Sequence, residues 1–196
     1  MKYLIFIFLM FTSFNAYSQT KSTPVLFESM PQTNHKEIIL KEKNDMKTSE
    51  FKVFGLVTKE KIFTESDLLQ LKQDSIGTVY IKNHKGDIVI NAKDMKGVLL
   101  KTILDSTGIL SKNYKNYNQF YFVLTAADGY KNIYSWNEIY NNEIGNHVYI
   151  ITEKNDKNLN QLPEKILVLS ANDIYGGGRY LKSLSSIEIK AIDEIK

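Results

Sequence analysis

The 196-residue chain contains no cysteine, and this absence limits both how it can fold and what chemistry it can perform. Without disulfides to stabilise a small scaffold, the fold must depend on a buried apolar core. Thiol catalysis and thiolate ligation of a metal are excluded as well. A chain of this length fits one domain with a core of sufficient size.

The N-terminal residues 1–18 have the pattern of a secretory signal peptide. Lys2 precedes the apolar stretch Tyr3–Phe11, and Ala16-Tyr17-Ser18 has small residues at the two positions that signal peptidase recognises. The apolar stretch is shorter than the roughly 20 residues that a membrane span needs. We therefore expect a periplasmic or secreted protein with no membrane span after signal removal. A retained N-terminal anchor is the alternative.

The charge balance of the mature chain argues against nucleic acid as a partner. Removing Lys2 with the signal lowers the formal charge from +3 to +2, and the lysines are spread among acidic residues. Domains that bind nucleic acid gather their cations into a patch or a stripe. No nucleic-acid partner is expected.

After the signal, we expect a polar leader or partly ordered extension over residues 19–50 and a domain over residues 51–196. The domain alternates short strand patterns with a few helical ones, which predicts an α+β fold with mixed sheets and short peripheral helices. Predicted strands are Phe51–Val57, Thr78–Asn83, Asp87–Ala92, Phe120–Thr125, Tyr130–Trp136, Val148–Thr152, Ile166–Ser170 and Ser186–Ala191.

Turn and cap residues divide these patterns. Gly86 is predicted to take a positive φ in a hairpin turn, and a helix containing Leu99, Leu100, Ile103 and Leu104 is predicted to end at Gly108. Helix N-caps are predicted at Thr64 or Ser66 and at Ser135. The lysine- and asparagine-rich segment Glu153–Gln161 is predicted to be a loop.

Four segments of the domain follow one another in the order and spacing of a known family. They are Lys96–Gly108, Ala127-Asp128-Gly129-Tyr130, Leu162–Val168 and Arg179–Leu184. Together they resemble the molybdopterin-binding domain of sulfite-oxidase-type oxidoreductases. The resemblance implies a sulfite-oxidase-like fold with a pterin site, and the residues it assigns to cofactor binding are Arg179, Lys182, Gly177, Gly178, Asp128 and Tyr130.

The chain departs from that family where the metal would bind. Catalytic members hold molybdenum with a cysteine from the strand region that corresponds to Val79–Asn83, and this chain has Val79-Tyr80-Ile81-Lys82 there. Neither tyrosine nor lysine can replace a soft thiolate without changing the electronics and geometry of the metal. Ser183 and Lys165 replace a tryptophan and an arginine of the family. We assign no catalytic residue and no metal ligand, and we expect no molybdenum.

Arg179 is the only arginine in the chain and the strongest candidate for ligand binding. It follows Gly176-Gly177-Gly178, whose backbone amides could approach an anion. A guanidinium binds phosphate through paired N–H donors, and Lys182 adds a point charge three residues later. The alternative is a solvated cation at the tip of a flexible hairpin.

Aromatic side chains near the Asp128-Gly129 turn offer a second ligand-binding hypothesis. Tyr130, Tyr134 and Trp136 are a candidate stacking platform for a planar ligand, and packing in the core is the alternative.

Three functions follow from these patterns. The first is an exported, non-catalytic protein that binds molybdopterin or another pterin, an anionic planar small molecule. The second is a degenerate domain with a closed pocket that binds a protein partner in the cell envelope. The third is an oxidoreductase with an atypical molybdenum site, which lacks a soft ligand.

The signal-peptide hypothesis predicts that the mature protein begins at Gln19 and lies outside the cytoplasm. Cleavage after Ser18 is expected because of the small-x-small pattern that ends there. N-terminal sequencing of the native protein measures it, and an intact Met1 would contradict the export assignment.

Overall fold

The computed structural model describes residues 48–111 and 113–192, which form two β-sheets. The strands are β1 (Glu50–Gly55), β2 (Lys61–Thr64), β3 (Asp74–Lys82), β4 (Ile88–Leu99), β5 (Phe120–Ala126), β6 (Lys131–Ser135), β7 (Val148–Lys154), β8 (Lys157–Asn158), β9 (Leu167–Ser170) and β10 (Leu184–Ala191). The first sheet has the order β2-β1-β10-β5-β6. The second has the order β3-β4-β7-β8, and β9 also pairs with β7.

A parallel pair lies at the centre of the first sheet, where β1 meets β10. The other strand pairs of both sheets are antiparallel. Because β1 and β10 are the first and last strands of the described chain, their pairing ties its two ends together.

Within residues 48–192, three short α-helices and four 3-10 turns of the described chain connect the strands. The helices are α1 (Glu65–Gln70), α2 (Leu100–Thr107) and α3 (Trp136–Tyr140), and the 3-10 turns cover Tyr114–Gln119, Glu143–His147, Leu159–Gln161 and Gly176–Arg179. Within the described residues, no helix is long and apolar enough to cross a membrane.

One continuous cluster of buried apolar side chains joins the two sheets. β1 and β5 contribute Phe51 and Phe122 from the first sheet, and β7 and β9 contribute Ile150 and Val168 from the second. In β5 buried and half-buried side chains alternate, whereas β9 is buried at each position. The core therefore includes strands with one covered face and strands covered on both faces.

The predicted fold class, an α+β fold with mixed sheets and short connecting helices, is confirmed. The hairpin of β3 and β4 turns at Gly86, which has a φ of +88° as predicted. Thr64 and Ser135 cap α1 and α3 in capping boxes with Asp67 and Glu138. These elements were predictable because each depends on a turn or cap close in sequence.

Two local predictions were wrong, and so was the alternative interpretation of the glycine run as a flexible tip. Leu99 belongs to β4, and the helix begins one residue later at Leu100. The strand continues through Gly97 because this residue has no Cβ, which lets β4 approach β7 closely. A Cβ at Gly97 would lie 2.7 Å from the carbonyl oxygen of Ile150 in β7. The segment Glu153–Gln161 contains β8 and a 3-10 turn, and the glycine run forms a 3-10 turn in place of a flexible tip.

The signal peptide, residues 1–18, and almost all of the extension, residues 19–47, lie outside the described residues. The predicted limit between extension and domain falls beside the start of β1 at Glu50.

Candidate functional site

Arg179 is the last residue of the 3-10 turn Gly176–Arg179, which we call the glycine turn. Its side chain belongs to an ion-paired cluster. Its Nη2 atom donates to Glu138 Oε1 at 2.6 Å, and its Nε atom lies 3.5 Å from Asp173 Oδ2. The guanidinium carbon is 4.5 Å from the centroid of the Tyr134 ring, a cation–π distance. The arginine side chain is 28% exposed, so Arg179 is not the solvated cation of the alternative interpretation.

Two serine residues orient the carboxylates that hold Arg179. Glu138 is the third residue of α3, and its Oε2 accepts from the backbone nitrogen and hydroxyl of Ser135 at 2.8 and 3.0 Å. Its other oxygen remains for the guanidinium. Asp173 Oδ1 accepts from the Ser170 hydroxyl at 2.7 Å. The two serines therefore hold each carboxylate in the orientation in which it contacts the arginine.

The electrostatics of this cluster favour the ionised carboxylate of Glu138. Burial alone would raise the pKa of Glu138, but hydrogen bonds from the Ser135 backbone and from Arg179 outweigh it and hold the pKa below its ordinary value. Burial raises the pKa of Tyr134 well above its usual range, so its hydroxyl is neutral at ordinary pH.

The structure brings four of the six predicted cofactor-binding residues together. Tyr130 donates its hydroxyl hydrogen to the carbonyl of Gly178 at 2.8 Å, and its backbone nitrogen donates to Asp128 Oδ1 at 2.9 Å. Gly178 directly precedes Arg179. These contacts connect the β5–β6 turn to the 3-10 turn, but they satisfy the polar groups of the protein itself.

The other two predicted residues lie in different surroundings. Gly177 packs against β3, where a Cβ built on it would lie 3.1 Å from the carbonyl oxygen of Lys82. Lys182 has its Nζ atom 5.7 Å from the centroid of the Tyr180 ring.

Sequence reasoning missed a second buried cluster, formed by Lys154, Glu164 and Tyr180. Lys154 Nζ donates to Glu164 Oε1 and lies 3.0 Å from the Tyr180 hydroxyl, which donates to the same carboxylate oxygen at 2.9 Å. Lys154 is 7% exposed. A signal for it existed, because the alternation of β7 places Lys154 in phase with the buried Ile150 and Thr152.

The second cluster also depends on an ionised carboxylate. Burial alone would raise the pKa of Glu164, but hydrogen bonds from Lys154 and Tyr180 outweigh this and lower it below its ordinary value. Burial, together with the charge of Glu164, raises the pKa of Tyr180. The tyrosine therefore stays protonated and acts as a donor.

Both clusters hold the same stretch of chain, residues 173–180, which we call the clasp segment. Arg179 attaches it to α3 and β6 through Glu138 and Tyr134, and Tyr180 attaches it to Glu164. At the other end, Asp173 accepts from Ser170 of β9. The clasp segment is therefore anchored at each end by charged hydrogen bonds, which are stronger than neutral ones.

The candidate aromatic platform is separated into three environments. Tyr130 is about half exposed, Tyr134 is buried beneath Arg179, and Trp136 stacks between Tyr117 and Tyr140. These three residues do not offer one common surface to a planar ligand.

The residues present do not fit a molybdenum cofactor. Ile81, in the strand that corresponds to the family's metal-binding region, is buried, and a Cβ on Gly176 would lie 3.6 Å from its Cδ1 atom. The glycine turn thus packs directly on β3, where the cofactor would need space. Within residues 48–111 and 113–192, no group of three or more His, Asp or Glu side chains is arranged to hold a metal ion.

The ion pairing of Arg179 predicts a pH-dependent loss of stability in the variant Glu138→Gln. Glutamine preserves the capping box but removes the charge that faces Arg179. We expect the free energy of unfolding to fall by about 1.5–3 kcal/mol at neutral pH, the range for hydrogen bonds to charged groups. Denaturant titrations at several pH values measure it.

The sign of the pH effect follows from the lowered pKa of Glu138. Its contribution is fully present above the unfolded pKa of about 4.3 and is lost as the pH falls through the folded value. The difference between wild type and Glu138→Gln should therefore shrink below about pH 4. The control Glu143→Gln removes an exposed charge and should have little effect. An equal difference at acidic and neutral pH would contradict the ion-pair interpretation.

Comparison with known proteins gives a distant likeness in fold. No protein-family model and no curated protein sequence matches the chain. The crystal structure of the sulfane dehydrogenase SoxCD from Paracoccus pantotrophus matches with a TM-score of 0.53 and 16% sequence identity, over 73% of this chain and 39% of that chain. The chain therefore spans about two fifths of the solved chain, and the likeness shows the fold alone.

Proposed function

We propose that this chain is a non-catalytic, exported module that binds a protein partner on a sulfite-oxidase-like fold whose anion site is closed. The observation that carries the proposal is the position of the clasp segment. Its glycine turn packs on β3, and its arginine pairs with Glu138 and Asp173. The glycine turn fills the space that a pterin phosphate would need, and the two carboxylates pair with the positive charge.

The charge of the cluster supports this proposal. Arg179 contributes one positive charge, whereas Glu138 and Asp173 contribute two negative charges, so the cluster has a formal charge of −1. A phosphate would have to displace two oriented carboxylates and would leave them near its own charge. Like charges at such distances repel strongly in a partly buried site.

The surface of the clasp segment supports a protein partner. Ile174 is 77% exposed and Tyr175 is 55% exposed, and both directly precede the glycine turn. The nearby Tyr130, bonded to Gly178, is also about half exposed. Because the backbone of this segment is already anchored, it loses little conformational freedom when a partner covers its apolar side chains. This preorganisation favours binding.

A second candidate function, binding of a pterin, is favoured by a specific pair of atoms. Arg179 Nη1 and the Tyr134 hydroxyl are buried and have no hydrogen-bond partner among the described residues. Buried donors without partners cost free energy, so an acceptor from a ligand would stabilise them. On this hypothesis Asp128, Tyr130, Gly177, Gly178 and Lys182 would border the ligand.

The closed-site proposal predicts that protein purified from a host that makes molybdenum cofactor contains neither molybdenum nor pterin in stoichiometric amounts. Elemental analysis and mass spectrometry of the released small molecules measure both. One molybdenum per chain would contradict the proposal. Calorimetric titration with molybdopterin extends the test, because saturable binding that weakens about tenfold in Arg179→Lys would establish the pterin function in its place.

The partner-binding proposal predicts that the double variant Ile174→Ser/Tyr175→Ser stays folded but no longer binds its protein partner. Cross-linking in the native envelope measures this, because the wild-type protein should be cross-linked to the partner and the variant should not. The matched control is Ile62→Ser/Ile133→Ser, which removes two similarly exposed side chains from the edge strands β2 and β6. The control should retain the partner. Equal retention by both double variants would contradict a role for the clasp segment, and thermal melts verify that each variant is folded.

A further inference from the structure

A cleft of about 290 Å³ lies between α2 and the aromatic residues around α3. We call it the aromatic cleft, and its lining residues are Leu104, Asp105, Gly108, Ile109, Tyr117, Trp136 and Tyr140. Its volume is at the lower end of small-molecule sites, which suits a ligand with a single ring. None of these residues belongs to the clasp segment.

The aromatic walls of the cleft are fixed in place. Trp136 stacks between Tyr117 and Tyr140, with ring centroids 5.2 and 5.3 Å apart and planes within 19° and 21° of parallel. Phe120 and Phe122 of β5 contact the two tyrosines edge to face, at 6.0 and 6.3 Å. A stack supported at both ends by a strand provides a preorganised surface, which lowers the entropic cost of binding.

The charge in the cleft comes from Asp105 of α2. Its Oδ1 accepts from the Tyr140 hydroxyl at 2.8 Å. Among the residues that the structure describes, Asp105 makes no salt bridge. The carboxylate is exposed and is oriented by a neutral donor, so its second oxygen remains available to a ligand.

From these observations we infer that the aromatic cleft binds a small organic amine with one apolar ring. The ammonium group pairs with the second oxygen of Asp105 in a charge-assisted hydrogen bond. The ring contacts Leu104 and Ile109. An anionic ligand is disfavoured because the charged group that lines the cleft is a carboxylate. This inference does not depend on the proposed function of the clasp segment.

The chain provides its own reporter for this site. Trp136 is the only tryptophan in the sequence, so selectively excited tryptophan fluorescence comes from the wall of the cleft. Three probes of equal size separate charge from shape: benzylamine is a cation, benzyl alcohol is neutral and benzoate is an anion. We expect a saturable change with benzylamine, about two- to fivefold weaker binding of benzyl alcohol, and no binding of benzoate.

The variant Asp105→Asn tests the role of the carboxylate. The amide oxygen can still accept from Tyr140, so the wall should keep its geometry. We expect benzylamine to bind about two- to fivefold more weakly, the range for an exposed ion pair, with benzyl alcohol unchanged. The control Asp87→Asn changes an exposed carboxylate in the β3–β4 turn that also accepts one side-chain hydrogen bond, and it should bind all probes as wild type does.

Several outcomes would overturn the inference. They are the absence of a saturable response to benzylamine, equal binding of benzylamine and benzoate, and unchanged benzylamine binding by folded Asp105→Asn. Tighter binding of Nα-acetyl-lysine amide than of benzylamine would show that the site accepts a lysine side chain of a protein. This outcome would also overturn the inference. Thermal melts and the ligand-free emission of Trp136 establish that Asp105→Asn is folded.

Discussion

The pairing of Arg179 with Glu138 links two connections between strands that are far apart in the chain. It joins α3, which follows β6, to the connection between β9 and β10, and these segments are 41 residues apart in the chain. Because Glu138 also closes the capping box of α3, one carboxylate stabilises both the start of a helix and a tertiary contact. Tyr134 extends the same contact into the core, since its ring is buried beneath the guanidinium.

Local features of the fold were predictable from sequence because their causes are local. The turn at Gly86 and the caps at Thr64 and Ser135 each depend on residues within a few positions. The partners of Arg179 were not predictable in the same way. Ser135 was predicted as the N-cap of α3, but nothing in the local sequence indicates which distant cation the second oxygen of Glu138 will contact.

The buried cluster of Lys154 was missed for a different reason. Composition favoured a solvated loop after β7, because lysine and asparagine are abundant in Glu153–Gln161. Strand periodicity favoured burial of Lys154, and the structure follows the periodicity. A lysine in phase with buried residues requires a carboxylate partner, and Glu164 provides it from ten residues away. Phase along the strand was therefore more informative here than composition.

The short helix α3 connects the clasp segment with the aromatic cleft. Trp136 and Tyr140 are four residues apart and so share one face of the helix, which they present to the cleft, whereas Glu138 lies between them in sequence and points to Arg179. A helix of five residues has little stability of its own, so its tertiary contacts must hold it in place. The ion pair at Glu138 is one of these contacts. Through Glu138, Arg179 therefore contributes to the geometry of the aromatic walls.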